Sequence, residues 1–408
     1  MQLRGVWCDA SEAGKTSVEV DKFVNRLDAY GFNAVFPSFK RGDGFVYWPC
    51  QFCPELSFPG YEDFDLPTEL LNACKKRGIQ MHAWFIDYFD NPRGIAYQRH
   101  REWACLNAIG QPTNIEILRG QPFDAIWMCP ARRPGYTDQW LIPLYKEFAE
   151  RYPVDSIHHD YIRYPGDLAP DQYCFCDYCL EHIPVYCGYY SEIFPHESFY
   201  HELYDRPYLE AHWEQSPRVL PGNWDRLDRA SKSRFLLEGS FFQGGRSDLD
   251  YFFYSYRTYY ITEFARLAAE AVRTTNPSTK LSAAVFKNPV HSGRFIGQDW
   301  RQFSQYVDII VPMDYRDHFP GSFETYLALL ETTIQDQKRW AENFESLLIG
   351  VAINFLYKEE ERLKIYPSEK LRKVVEVVRE SQTDGVVLFC HSQINDYGLD
   401  SSIQSILG

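Results

Sequence analysis

No stretch of 18 apolar residues occurs in the chain, which excludes a membrane-spanning helix of the usual kind. No Lys/Arg-rich run occurs either. With 56 acidic against 42 basic residues the formal charge is −14, so neither a nucleic-acid backbone nor a membrane surface is an expected partner. No G-x-G-x-x-G turn follows an early strand, so the phosphate-binding signature of a doubly wound dinucleotide fold is missing. The opening residues "MQLRGVWCDAS" show no basic n-region followed by an apolar h-region. As written, the expectation is a cytoplasmic protein, or a secreted or periplasmic one where a signal has been removed. The oligomeric state leaves no signal in the sequence.

What the chain does have is aromatic side chains: 29 Tyr, 29 Phe and 10 Trp, 17% of the sequence. These suit a large core, and they suit flat amphipathic platforms for sugar rings. The eleven cysteines include two dense groups, Cys50 and Cys53 in "CQFC" and Cys174, Cys176 and Cys179 in "CFCDYC". A 408-residue chain needs no disulfide staples, and pairing inside so tight a cluster is strained, so no disulfide is expected there. A structural zinc on Cys174, Cys176 and Cys179 is the alternative to buried reduced thiols, but no complete four-ligand spacing is present. No other cofactor is expected.

Short apolar or β-branched runs recur along the chain, most followed by a stretch of helical periodicity. They lie at residues 3–7, 33–39, 79–87, 154–160, 280–286, 307–315, 346–353 and 384–391. Residues 17–31, 65–78 and 368–385 read as intervening helices, the first with Val20, Phe23, Val24 and Leu27 on one face. Eight strands alternating with helices predict an α/β fold of the (β/α)8 TIM-barrel type. The expected organisation is one barrel domain over residues 1–408. Long βα loops follow the third strand (88–136) and the fourth (166–250), the latter an insertion or lid over the C-terminal face.

The stretch with most chemistry is "SIHHDYIRYP" at 156–165, the exit of the fourth strand. Side chains alternate along a strand, so His158 and Asp160 share one face and Ile157 and His159 the other. If Ile157 packs outward, His158 and Asp160 point into the barrel mouth. There Tyr161 and Arg163 would set the ionisation of Asp160. An Asp–Arg pair that only ties off the loop is the competing reading.

"RGVW" on the first strand, "HAW" on the third, "HHDYIRYP" on the fourth, "VDIIVPMDY" on the sixth and "DGVVLF" on the eighth resemble the glycosyl-hydrolase-like barrels described as family-10-like. These are relatives of the α-amylase type of (β/α)8 glycosidase. The resemblance runs nearly the length of the chain and implies a glycoside hydrolase acting on a poly- or oligosaccharide. It places the catalytic nucleophile at Asp160. That type also carries a glutamate acid ending the fifth strand, whereas "LSAAVFKNP" offers Lys287 and Asn288.

Glycoside hydrolysis needs two carboxyl groups, and their mutual influence separates acid from base. Asp314, ending the sixth strand beside Tyr315, Arg316 and His318, is the first choice as partner of Asp160. Asp87 and Asp9, ending the third and first strands, are expected to bind sugar hydroxyls. Trp7 and Trp84 are candidate stacking platforms, and Asn354 and His391 candidate members of a polar ring. Two other functions remain open. One is a metal-dependent hydrolase using His158, His159 and Asp160, disfavoured because adjacent strand residues face opposite ways. The other is a carbohydrate-binding barrel without chemistry, suggested by the missing carboxylate on the fifth strand.

Overall fold

The structure, a computed structural model, describes residues 2–112, 126–165, 174–183, 224–238, 248–357 and 367–408. Eight parallel strands close into a barrel: β1 (Leu3–Asp9), β2 (Ala34–Lys40), β3 (Gln80–Ile86), β6 (Ser156–Asp160), β7 (Lys280–Phe286), β8 (Ile309–Met313), β9 (Ser346–Ala352) and β10 (Gly385–Phe389). They are the eight runs the sequence marked: the first is two residues longer than expected, the second is shifted by one, and the other six are matched or trimmed by a residue or two at their ends. Two further strands, β4 (Phe89–Asp90) and β5 (Ile126–Trp127), pair antiparallel within the long connection after β3. Most of the expected 166–250 excursion falls outside the described residues.

Helices cover the barrel in the order its pattern demands. Helix α1 (Ser17–Ala29) starts where the Thr16 hydroxyl accepts the Glu19 amide, and it buries Val20, Phe23, Val24 and Leu27. Helix α2 (Leu66–Arg77) stops at Gly78, whose φ of 67° lies in the left-handed region where a helix ends most easily. Helices α3 (Ile142–Arg151), α4 (Asp248–Thr275), α5 (Phe323–Trp340) and α6 (Pro367–Glu380) follow in the outer layer, with shorter helices between them.

Strand parity divides the core in two. Outward residues such as Val6, Phe39, Phe85, Ile157, Ile310 and Ile349 pack with the helices in the larger cluster. Inward residues Trp7, Ala34, Phe36, Trp84, Ile309, Val311, Leu348 and Val387 fill the barrel itself. Burial at this scale, at about 25 cal/mol per Å2 of apolar surface, is what holds the strands in register. Gly350 has a particular place here: a Cβ on it would stand 2.9 Å from the Pro312 carbonyl oxygen and 3.1 Å from the Trp7 ring. Trp7 therefore fits inside the barrel because its neighbour on β9 has no side chain.

Among the described residues no helix is long and apolar enough to cross a membrane.

Candidate active site

Inward parity carries β6 up to the barrel mouth. Ile157 packs outward as expected, His158 fills the barrel, and Asp160 ends the strand half-buried at the C-terminal face. Two N–H groups hold its carboxylate. The Tyr161 amide donates to Oδ1 at 2.7 Å, and the Trp84 indole Nε1 donates to Oδ2 at 3.2 Å. Burial pushes the Asp160 carboxyl up to about 6, against the opposing effects of the Tyr161 amide, the Arg163 guanidinium and the Trp84 indole, and with a further push from Asp87. Tyr161 takes φ of 53°, a left-handed conformation that a non-glycine residue adopts at a cost, directly after this carboxylate.

Arg163 makes no ion pair with Asp160. Its guanidinium lies among three rings, 4.7 Å from the centre of Trp127, 4.8 Å from Tyr161 and 4.9 Å from Phe286, and donates to the Tyr164 carbonyl. It is a buried, always-charged group close enough to favour the ionised form of Asp160. Tyr161 stacks on Phe89, 4.7 Å away at 26°. Tyr315 also faces the mouth, near enough to Asp160 for that charge to raise its hydroxyl pKa beyond what burial alone does, and its ring stacks with His318 and Phe389.

A cleft of about 470 Å3 opens against Trp84 and Tyr161, the two residues whose N–H groups hold Asp160, which stands just behind its wall. Trp84, Phe89, Tyr161 and Phe389 give it apolar walls, and Asp9, Glu12, Arg41, Asp43 and Asn91 its polar ones. Its size and lining are those of a small-ligand site. Arg41 organises the polar wall: one guanidinium nitrogen donates to Asp9 at 3.1 Å and to Tyr47, and Nε donates to Asp43 at 3.0 Å. Asp9 also caps the turn that follows β1, accepting from the Ser11 amide at 2.9 Å, and Glu12 accepts the Asp9 amide in return.

Several residues singled out in the sequence lie elsewhere. Asp314 is a correction. It falls one residue beyond Met313, on the outward parity, and is fully buried against α5, where Gln337 donates to its Oδ1 at 2.8 Å. Burial raises its carboxyl to about 8, with Gln337 and Lys287 opposing, and Oδ2 has no hydrogen-bond partner. Asp87 is outward too. It accepts from Tyr145 Oη at 2.6 Å and pairs with His159 Nδ1 at 3.0 Å in a sealed network behind the sheet. Trp7 is barrel core, packed against Phe36, His158 and Phe389, and not a sugar platform.

His158 belongs to the same interior layer. Its Nδ1 shares a hydrogen bond with Ser282 at 2.8 Å, and burial holds its pKa far down, so the ring is neutral. With His159 facing the opposite way, the histidines and Asp160 do not converge on a metal. His391 pairs with Glu12 at 2.6 Å behind the first turn, and Arg316 donates to the Phe319 and Gly321 carbonyls to fold its own loop. The Asn354 amide donates to Gln393, and His318 Nδ1 meets the Met313 carbonyl at 3.0 Å. Of the expected set, Asp9, Trp84, Asp160, Tyr161, Arg163 and Tyr315 therefore gather at the mouth. Glu12, Arg41 and Asp43 gather with them and were missed, although "ASEAG" and "RGDG" directly follow the first two strands, where βα loops carry function.

The cysteines show a second convergence. Cys50 and Cys53 lie apart from the others, near Glu147 and Glu55. Cys174, Cys176 and Cys179 meet instead with Cys129, and all ten cysteines of the described residues are free.

Comparison with known proteins agrees with this architecture. The model of the family described as Glycosyl hydrolase-like 10 matches residues 2–181, which contain β1 through β6, Asp160 and the cysteine cluster. The Escherichia coli protein Glycosyl hydrolase DigH is 24% identical over 189 residues, 39% of this chain and 38% of that protein. The matched stretch thus spans well under half the length of this curated relative. In three dimensions the chain is similar to the glycoside hydrolase domain of PgaB (BpsB) from Bordetella bronchiseptica, with a TM-score of 0.65, 12% identity, and coverage of 100% of this chain and 99% of that domain. It is similar also to a β-galactosidase from Rahnella sp. R3 (TM-score 0.61, 13% identity, 100% and 57% covered). The α-L-fucosidase isoenzyme 2 from Paenibacillus thiaminolyticus gives a TM-score of 0.59 at 14% identity, with 99% and 49% covered. The resemblance drawn from the strand motifs is borne out, and so is the TIM barrel.

Proposed function

We propose that the chain is a glycoside hydrolase that cleaves a poly- or oligosaccharide in the cleft at the C-terminal face, with Asp160 as its principal catalytic carboxylate. One observation carries the reading. Asp160 ends β6 on the inward parity, is held by two N–H donors, has its pKa raised to about 6, and adjoins an aromatic-walled cleft. Those donors and Arg163 favour the ionised form, which fits attack on, or electrostatic stabilisation of, an oxocarbenium-like centre. The glycosidase names of the similar barrels agree with this choice of substrate class. The second carboxyl group comes from the cleft wall, where Asp9 and Glu12 stand on the turn after β1. The outward-facing Asp314 does not supply it.

A carbohydrate-binding barrel without turnover is the second reading, favoured by one observation. The described end of β7 presents Lys287 and Asn288 where the related glycosidases place an acid, and the Asn288 side chain is already used as a helix cap for His291. A glycan panel assayed in parallel for binding and for new reducing ends separates the two. Hydrolysis that disappears in Asp160→Asn, with binding retained, supports the enzyme. Binding with no hydrolysis by the native chain on any glycan it binds supports the binder and overturns the enzyme.

A further inference from the structure

Four buried thiols from two distant parts of the chain converge with no disulfide between them. Sγ of Cys129 lies 3.6 Å from that of Cys179 and 3.7 Å from that of Cys176, and Cys179 lies 3.8 Å from Cys174. All four sulfurs are within 4.8 Å of one another. A disulfide needs about 2.05 Å, so these are not bonded pairs. A zinc ion bound at about 2.3 Å to four tetrahedrally placed sulfurs sets the sulfurs about 3.8 Å apart. The three shortest observed edges, 3.6, 3.7 and 3.8 Å, match the edge of that tetrahedron, and the remaining ones stay within 4.8 Å.

We infer that Cys129, Cys174, Cys176 and Cys179 form a structural zinc site. Binding is an exchange without redox chemistry: four thiols lose four protons and one divalent zinc takes four thiolates, leaving a cluster of charge −2. Cys105, also buried and adjacent to Cys129 and Cys174, is a neighbour that the four-sulfur shell does not require.

The site would act as a staple. Cys129 follows β5 in the excursion after β3, and its amide donates to the Trp103 carbonyl. The other three ligands lie in the chain after β6, whose Phe175 amide donates to the Leu106 carbonyl. One ion therefore ties the two long βα connections together. It does so two residues from Trp127, the ring on which Arg163 rests beside Asp160. This inference stands independently of the proposed glycosidase activity.

Elemental analysis of the full chain, purified without added metal and dialysed against a weak chelator, tests it. The expected result is close to one zinc per chain, with X-ray absorption showing four sulfur neighbours at about 2.3 Å. Cys176→Ser should lose the metal and lower Tm by several degrees, while Cys105→Ser should keep both. If Cys176→Ser does not fold, the native stoichiometry, its absorption spectrum and Cys105→Ser still decide. A folded native chain without metal, with the four cysteines fully alkylated under mild conditions, overturns the site. So does an iron-containing chain, a zinc shell containing nitrogen or oxygen, or zinc retained in folded Cys176→Ser.

Discussion

Asp160 and Asp314 end strands separated only by β7, yet they meet opposite surroundings. Asp160 keeps the inward parity of β6 and emerges beside an open cleft, with an amide and an indole N–H on its two oxygens. Asp314 falls on the outward parity after β8 and is sealed beneath α5, with Gln337 on one oxygen and nothing on the other. Burial raises both carboxyls, to about 6 and about 8. At neutral pH the first is mostly ionised and the second mostly protonated. A perturbed carboxyl is therefore not by itself a mark of chemistry. What separates the two is one residue of register, which decides whether substrate can reach the group at all.

The sharpest way to break this comparison is to neutralise each group in turn. Asp160→Asn keeps the shape and removes the charge, so kcat should fall by on the order of 10³-fold or more with KM little changed. Asp314→Asn should leave turnover per folded molecule within about twofold, since no route connects it to substrate. Both are measured on the same glycan, normalised to the folded fraction by circular dichroism. If the two variants exchanged these outcomes, the catalytic centre would have to be moved behind the sheet.

A smaller effect should come from the donors. Trp84→Phe keeps most of the ring and removes the Nε1–H that Asp160 accepts at 3.2 Å. Losing a donor that favours the charged form raises the carboxyl pKa further. Activity that needs ionised Asp160 falls as pH drops through about 6, so the acid limb of kcat/KM should lie near there in the native chain. In Trp84→Phe that limb should move to higher pH, with kcat/KM at neutral pH reduced about tenfold, the worth of one hydrogen bond to a charged group. A limb that stayed in place would mean that the indole is only packing.

The sequence carried the barrel because eight apolar or β-branched runs alternating with helical stretches are a strong pattern even at uneven spacing, and period-two alternation in "SIHHD" placed Asp160 and Ile157 correctly. It misplaced Asp314 and Asp87 because parity is lost where a strand ends. "PMDY" and "FIDY" look alike in the string, and only the last paired residue, Met313 or Ile86, says which neighbour turns inward. Cys129 was invisible for another reason. It stands 45 positions before Cys174, so the fourth ligand of the cluster is brought in by the fold of the long connections and not by local spacing. Arg41, which joins Asp9 to Asp43 across the polar wall, is likewise a product of two strand ends meeting.

The last expected effect concerns stability and leaves turnover aside, and it follows from the sealed side of the comparison. The folded-state pKa of Asp314 is raised well above that of the unfolded chain, so folding retains a proton that the unfolded chain gives up near pH 4. Its contribution is therefore fully present below pH 4 and is lost as pH rises toward about 8. Asp314→Asn has no proton to retain. Its amide oxygen can still accept from Gln337, and its NH2 takes the place of the oxygen that has no partner. The variant should then match or fall slightly below the native chain at pH 5. It should exceed the native chain by a margin that grows by about 1.4 kcal/mol for each pH unit from 5 to 8, seen as a Tm difference that widens by several degrees. Calorimetry of both proteins from pH 5 to 9 checks it. Parallel stability curves across that range would mean that Asp314 titrates in the folded chain as it does in the unfolded one, and that the pocket beneath α5 is open to water.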